Sequence, residues 1–452
     1  MRSTNLFVRS LNRLPRATAL AGALLAGLSA ATASAQEIWT LARAIDHALT
    51  NSPSARIAAH RIRAARAITD QADSALWPRL QFEGSYSWTD VPMMAFGSIL
   101  NQRAFSPNLD FNDVPAVDNL SARGIVSVPL YTGGQVSAGR RAADQNFAAA
   151  QQDSAAVRNS LAFEVARVFH TVFKTRAFIE AGEAAVQSFE NNLEIARKRN
   201  AAGTLLKAEV LDVEVRLAQA REDLVRARNA RALTERALAN LLGLEQTIVT
   251  VADTPPEPAL PDAAAGVPRP ELQALDHREQ AAESALRGAR GGYLPKVSAF
   301  GSLQYERGWE MDGEGTYWMA GALVQWDLWD GRLSRAKVAE AQANLDELRE
   351  QQRRARLAIA YEVEQARLNL AEADQRLGVT ATAIAQAEES VQLTRARFEQ
   401  GLALASQLID AETALTAARV RRAEAEADRR IAVAALRQAL GLPQLDSPTT
   451  SQ

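Results

Sequence analysis

The chain has 452 residues, no cysteine, and 51 Lys and Arg against 53 Asp and Glu, a formal charge of −2. Without cysteine there are no disulfides, no thiol catalysis and no thiolate metal sites. The near balance of charge, with no basic face or patch, argues against a nucleic-acid partner. Ala, Leu, Glu, Arg and Gln dominate, a composition typical of long helices.

Residues 1–35 read as a signal peptide. Arg2, Arg9, Arg13 and Arg16 form a basic start, Ala17 to Ala30 an apolar run, and Ala33-Ser34-Ala35 a cleavage site. That run of ~14 apolar residues falls short of the ~20 that span a bilayer. No later stretch reaches ~18, so any membrane contact of the exported chain must be made without a transmembrane helix.

A first repeat is expected over 36–244. Thr40 to about Trp77 is helical, broken at Asn51-Ser52-Pro53, with Pro53 opening a new helix and Pro78 ending it. Leu80, Phe82, Gly84, Tyr86 and Trp88 then alternate with Gln81, Glu83, Ser85 and Ser87, which predicts a strand at about 79–88 with one apolar face. Residues 89–120 read as a long loop. A second strand is expected at about 121–131, with Ala122, Gly124, Val126, Val128 and Leu130 on one face. Thr132 is a candidate cap for a long helix starting near Gln135.

From Gln135 to about Ala201, Val165, Val172, Ile179, Val186 and Leu193 recur at seven-residue steps. The residues three further on are Val168, Thr175, Gly182, Phe189 and Ala196. A strict heptad predicts a helix supercoiled left-handedly on a neighbour. At ~1.5 Å per residue it would be roughly 100 Å long. A turn at Gly203 leads into a return helix to Leu242, closed by Gly243, so the long coiled-coil helices occupy 135–243. Residues 245–268, with five prolines, are a linker.

The second repeat is expected over 269–442. Pro270 and Pro295 match Pro53 and Pro78 at an offset of 217, and beyond the strand hairpin the offset becomes 198. The first hairpin loop is therefore 19 residues longer than the second. Strands are predicted at about 296–305 and 317–329, with Asp330 as the cap. Long helices fill 332–441, carrying Val363, Leu370, Leu377, Ile384 and Val391 in heptad phase, and 443–452 is a tail. The strands have the ~9–11 residues of a tilted membrane strand, with Trp77, Trp88, Trp318 and Trp326 at or near their ends. Four strands cannot close a barrel and open edges are not tolerated in lipid, so the chain must assemble, to eight strands as a dimer or 12 as a trimer. A periplasmic coiled-coil adaptor or scaffold is the competing reading, since it too would be exported and heptad-rich.

The duplication and the strand exits Val-Pro-Leu-Tyr-Thr-Gly-Gly at 128–134 and Gln-Trp-Asp-Leu-Trp-Asp-Gly at 325–331 resemble the outer-membrane efflux proteins of Gram-negative bacteria, the TolC-like family. So do the helical tips Arg199–Asp212 and Arg397–Asp410. The resemblance implies a mainly α fold with a membrane β-barrel: a homotrimer with a 12-strand outer-membrane barrel continued by an α-helical periplasmic tunnel. It implies a passive exit duct for efflux or type I secretion, driven by an inner-membrane transporter through a periplasmic adaptor. It assigns adaptor docking to Gly203, Thr204 and Leu205 and to Gly401, Leu402 and Ala403. It assigns a periplasmic aperture to Glu389 and Gln392, with Glu388 adjacent. The family's paired acids are here one acid and one glutamine, and Glu389 falls on an outer heptad position. No cofactor, metal site or catalytic residue is expected: His47, His60, His170 and His277 are scattered, and no phosphate-binding loop occurs.

Overall fold

In a computed structural model, the described residues are 38–110, 112–245, 249–252, 257–261 and 266–445. The signal peptide expected at 1–35 lies outside them. The elements of the first half are β1 (Ile38–Trp39), α1 (Leu41–Asn51), α2 (Pro53–Ser74), β2 (Arg79–Thr89), α3 (Pro92–Asn101), β3 (Val117–Tyr131), α4 (Gln135–Ala201) and α5 (Lys207–Leu242). Those of the second are β4 (Thr250–Val251), α6 (Pro270–Arg290), β5 (Lys296–Gly308), β6 (Gly313–Gln325), α7 (Leu333–Glu399) and α8 (Ala405–Ala439).

The two long helices, α4 and α7, have 67 residues each. Their starts use a device that the two halves share. Gly134 and Arg332 sit at the N-cap in left-handed conformation, and neither caps with its side chain. The oxygens two residues earlier do that work: Thr132 Oγ1 accepts from Val136 N–H at 3.3 Å and Asp330 Oδ2 from Ser334 N–H at 2.7 Å. Each satisfies an amide that the first turn leaves free.

The strands form one antiparallel sheet in the order β2-β3-β5-β6, so β2 and β6 are free edges. Two expectations are corrected here. The last strand is Gly313–Gln325 rather than 317–329, because β5 and β6 are paired up to Gly308 and Gly313 around a tight turn with Asp312 at φ 43°. Trp326 lies beyond the strand, its indole N–H donating to Tyr293 O at 3.1 Å. The stretch 89–120 is also not all loop: α3 opens with Pro92 at its first turn, and β3 begins at Val117. The apolar run Met93–Phe96 behind a proline was a helix start signal.

Among the described residues, four clusters hold the fold. At mid-length of the helices, Trp39, Ile45, Val165, Phe169, Val172, Leu238 and Val251 form the largest, and the two-residue strands β1 and β4 pair beside it. The described parts of the linker, and residues 443–445 of the tail expected at 443–452, pack where the halves meet, with Val267 N–H on Leu440 O at 3.1 Å and the Arg437 guanidinium on Ala259 O and Pro443 O; the rest of the tail lies outside the described residues. At the tips Phe189, Leu193, Val213, Phe398 and Leu408 form a second cluster. A third sits under α3, and a fourth joins Ala366 to Leu436 and Leu440.

α4 packs on α1, α2, α5, α6 and α8, whereas the main partners of α7 are α6 and α8. The heptad positions Val165, Val172 and Ile179 are buried, whereas their counterparts Val363, Leu370 and Leu377 are half-buried; Val186 and Ile384 are both half-buried, and Leu193 and Val391 both buried. Twenty residues of α4 are buried and eight of α7. Equal lengths and equivalent patterns with unequal burial mean that the second copy presents an uncovered face.

Candidate functional site

The sheet has a continuous apolar face. Register places Leu80, Phe82 and Tyr86 beside Val126, Gly124 and Leu120, and the same face continues through Leu303 and Val297 to Trp318 and Val324. Leu80 is 80% exposed and Trp318 79%, far beyond what a soluble sheet leaves in water. Toward the hairpin turns the face becomes polar, where Tyr305 Oη donates to Glu314 at 2.9 Å and Arg307 lies 3.7 Å from the same carboxylate. The opposite face is polar on β2 (Gln81, Glu83, Ser85, Ser87) and mixed on β5 and β6, where Phe300 and Leu323 intervene. An apolar band of this kind with a polar cap and aromatic ends suits lipid, and two free edges require neighbours.

At the far end of the helices the two tips are tied together. Gly203 and Gly401 take φ 73° and 78°, the left-handed turn that a side chain resists. The amide of Thr204 returns to Arg199 O at 2.9 Å and that of Leu402 to Arg397 O at 2.8 Å. Arg199 crosses to the other tip, donating to Phe398 O at 2.7 Å and stacking over its ring at 4.9 Å. Glu209 takes the amides of Leu206 and, across the gap, Ala405, each at 3.3 Å. Of the six residues expected at the tips, Leu205 and Ala403 are buried and hold the turns together, while Gly203, Thr204, Gly401 and Leu402 are exposed. Leu206 and Leu404, 71% and 60% exposed, add an apolar element that sequence reasoning passed over.

The three aperture candidates lie about two to three turns before the end of α7 and separate in environment. Glu388 is half-buried and paired with Arg419 of α8 at 3.1 Å. Glu389 and Gln392 are exposed. Glu388 and Gln392 border a polar groove between α4 and α7 that is floored by α8. Inside it is a knot absent from the sequence expectations. Glu412, 4% exposed, accepts from Ser188 at 2.7 Å and Asn192 at 3.3 Å, and Arg395 donates to both Ser188 and Glu412. The signal was available: subtracting the 198-residue offset gives Arg197 and Glu214, which pair at 2.7 Å in the first copy.

Among the described residues no group of His, Asp and Glu could hold a metal. His60 is exposed beside Arg63, and His277 bonds Gln145 at 2.8 Å. His170 is 1% exposed, its Nδ1 has no hydrogen-bond partner, and burial with the nearby Arg430 charge lowers its pKa to about 4.

The sequence profile of the outer membrane efflux proteins matches residues 44–244 and 264–442, most of the chain. Outer membrane protein OprJ of Pseudomonas aeruginosa is 24% identical over 328 residues, 68% of this chain and 67% of OprJ. Cation efflux system protein CusC of Escherichia coli K12 is 23% identical over 56% of this chain and 53% of CusC, so the chain spans about half the length of that relative. Among solved structures, outer membrane protein VceC of Vibrio cholerae superimposes with a TM-score of 0.75 at 21% identity, covering 90% of this chain and 97% of VceC. The open state of the MtrE outer membrane channel of Neisseria gonorrhoeae gives 0.74 at 18% identity, over 90% of each chain. The fold is that of the TolC-like outer-membrane channels.

Proposed function

The chain belongs to the outer membrane efflux protein family, and from that premise we infer that three copies form a passive exit duct across the outer membrane and periplasm. As a member, the protein is an outer-membrane protein whose helical domain lies in the periplasm, and its relatives are efflux channel proteins rather than enzymes. One observation carries the inference: the four-stranded sheet has a continuous exposed apolar face and two unpaired edges. In lipid every backbone amide and carbonyl must be paired, so β6 of one copy must meet β2 of the next until the ring closes. Three copies supply a 12-strand wall wide enough to keep a lumen, whereas about eight strands would be filled by side chains.

The helices follow the same rotation. α7 follows the free edge β6, and its exposed Leu357, Tyr361, Leu368 and Val379 are apolar positions that helices of a neighbouring copy would cover. Such head-to-tail contacts close into rings. The tips, roughly 100 Å from the sheet at ~1.5 Å per residue, are the surface for a periplasmic adaptor. Exposed Leu206, Leu402 and Leu404 around fixed glycine turns offer it a rigid apolar contact. Glu389 supplies the negative charge of the aperture, one per copy, while Glu388 is engaged by Arg419. Energy comes from an inner-membrane transporter, which also selects the cargo. A periplasmic scaffold would need neither the exposed face nor the open edges.

The test is direct. The full chain should fractionate with the outer membrane, run as a trimer in detergent, and conduct in planar bilayers. A soluble monomer without conductance overturns the reading.

A further inference from the structure

The first hairpin loop exceeds the second by 19 residues, and its stretch Asn101–Ala104 has a defined seat. On β6, Thr316, Trp318 and Ala320 share the apolar outer face, so Gly313, Gly315 and Tyr317 belong to the inner one; on β5 Gly308 does likewise. These three glycines are where the first loop lies. A β-carbon at Gly308, Gly313 or Gly315 would fall closer than 3.0 Å to atoms of Asn101, Gln102 or Ala104. None of the three has a positive φ, so at Gly313 and Gly315, which face the backbone oxygens of Gln102 and Asn101, glycine is needed for space, and at Gly308 a side chain would have to displace the end of Gln102.

The contacts are specific. Tyr317 Oη donates to Asn101 O at 2.6 Å. Gln102, fully buried, donates to Asp118 O at 2.7 Å and Asn119 Oδ1 at 2.9 Å, and Asn119 passes the chain on to Glu306 at 3.3 Å. The Asp118 carboxylate takes the amides of Trp309 and Glu310, each at 2.9 Å, fixing the second hairpin's turn to the first hairpin. Beneath α3, Ile99 and Val117 pack with Met311. Meanwhile Trp318, on the outer face, stays open.

We propose that Pro92–Ala104 is a lid folded inward over the second hairpin, narrowing the outer mouth of the duct as a constriction separate from the periplasmic aperture. It rests on the reading of the sheet as a segment of barrel wall: the hairpin turns lie at the end opposite the periplasmic helices, and the glycine seat is on the inner side. Met93 and Met94, 81% and 60% exposed, are its free edge, presenting thioethers to the passing solute. One small apolar cluster and a few hydrogen bonds hold it, a restraint that outgoing cargo can displace.

The chain has no cysteine, so Ser302→Cys gives a unique thiol on the inner face of β5, below the seat. Cells carrying the full-length variant would be treated from outside with a membrane-impermeant charged maleimide. The rate is compared with that of the same variant also bearing Gly315→Leu, which fills the seat, and of one whose first loop is cut to the length of the second. Faster labelling by several-fold in both altered proteins, with trimers intact on gels, is the expected result. Equal rates in assembled trimers overturn the lid while leaving the duct in place. Failure of the duct itself looks different: Ala320→Cys on the outer face would then label as fast as Ser302→Cys in every background, and lid and barrel wall fall together.

Discussion

Arg395 reaches Glu412 across the α7–α8 hairpin inside the groove, whereas the equivalent Arg197 and Glu214 of the first half pair on the surface. The same pair, duplicated, sits in two environments, with Glu412 4% exposed and the Glu214 side chain 37% exposed. Removing one partner of a buried pair strands the other charge, while an exposed pair is worth little. Glu412→Ala should therefore lower stability by about 2 kcal/mol, less than a fully buried pair because Arg395 keeps some solvent, and Glu214→Ala by less than about 0.5. Denaturant unfolding of both purified variants checks the difference; equal effects would show that Glu412 is not holding α4, α7 and α8 together.

The tip turns predict a loss of function without a loss of assembly. Proline cannot adopt the φ of 78° at Gly401, and it removes the amide that donates to Phe398 O at 3.0 Å. Gly401→Pro should abolish drug resistance in a strain lacking its own duct while trimers still form. Full resistance would move adaptor docking elsewhere.

Glu389 carries a prediction about ions. In the proposed trimer, three exposed Glu389 carboxylates around the aperture would attract cations and repel anions. Glu389→Ala should raise single-channel conductance or relax cation preference, and Glu388→Ala, which breaks the Arg419 pair, should act more weakly on selectivity. Unchanged currents in Glu389→Ala would place the constriction at other residues.

His170 makes stability depend on pH. Its pKa falls from 6.5 unfolded to about 4 folded, so the unfolded chain binds the proton first as pH drops. Its contribution is intact above 6.5 and is lost as pH falls toward about 4, on the order of 3 kcal/mol in all. His170→Phe should flatten that interval in acid unfolding curves; an unaltered curve would mean that other groups govern the acid limb.

Much of the architecture is readable in one dimension because it is periodic. Alternation marked Leu80 to Trp88 as a two-faced strand, seven-residue steps marked Val165 to Leu193 as a seam, and both belong to residues close in sequence. The tip glycines were legible for the same reason, since a left-handed turn is a local demand. The reading of 89–120 as loop lost α3, where proline, polar residues and a short apolar run compete in one window.

The repeated unit is written in the chain itself: two strand hairpins, two very long helices of equal length, and a 19-residue excess in the first loop. Three-dimensional packing was needed to settle where that excess goes, which of two equivalent ion pairs is buried, and that Glu388 is engaged while Glu389 is exposed. Those outcomes depend on contacts between residues up to 224 positions apart, such as Asn101 with Gly315 and Ser188 with Glu412. Periodicity states which face of an element is apolar; only packing states what that face meets.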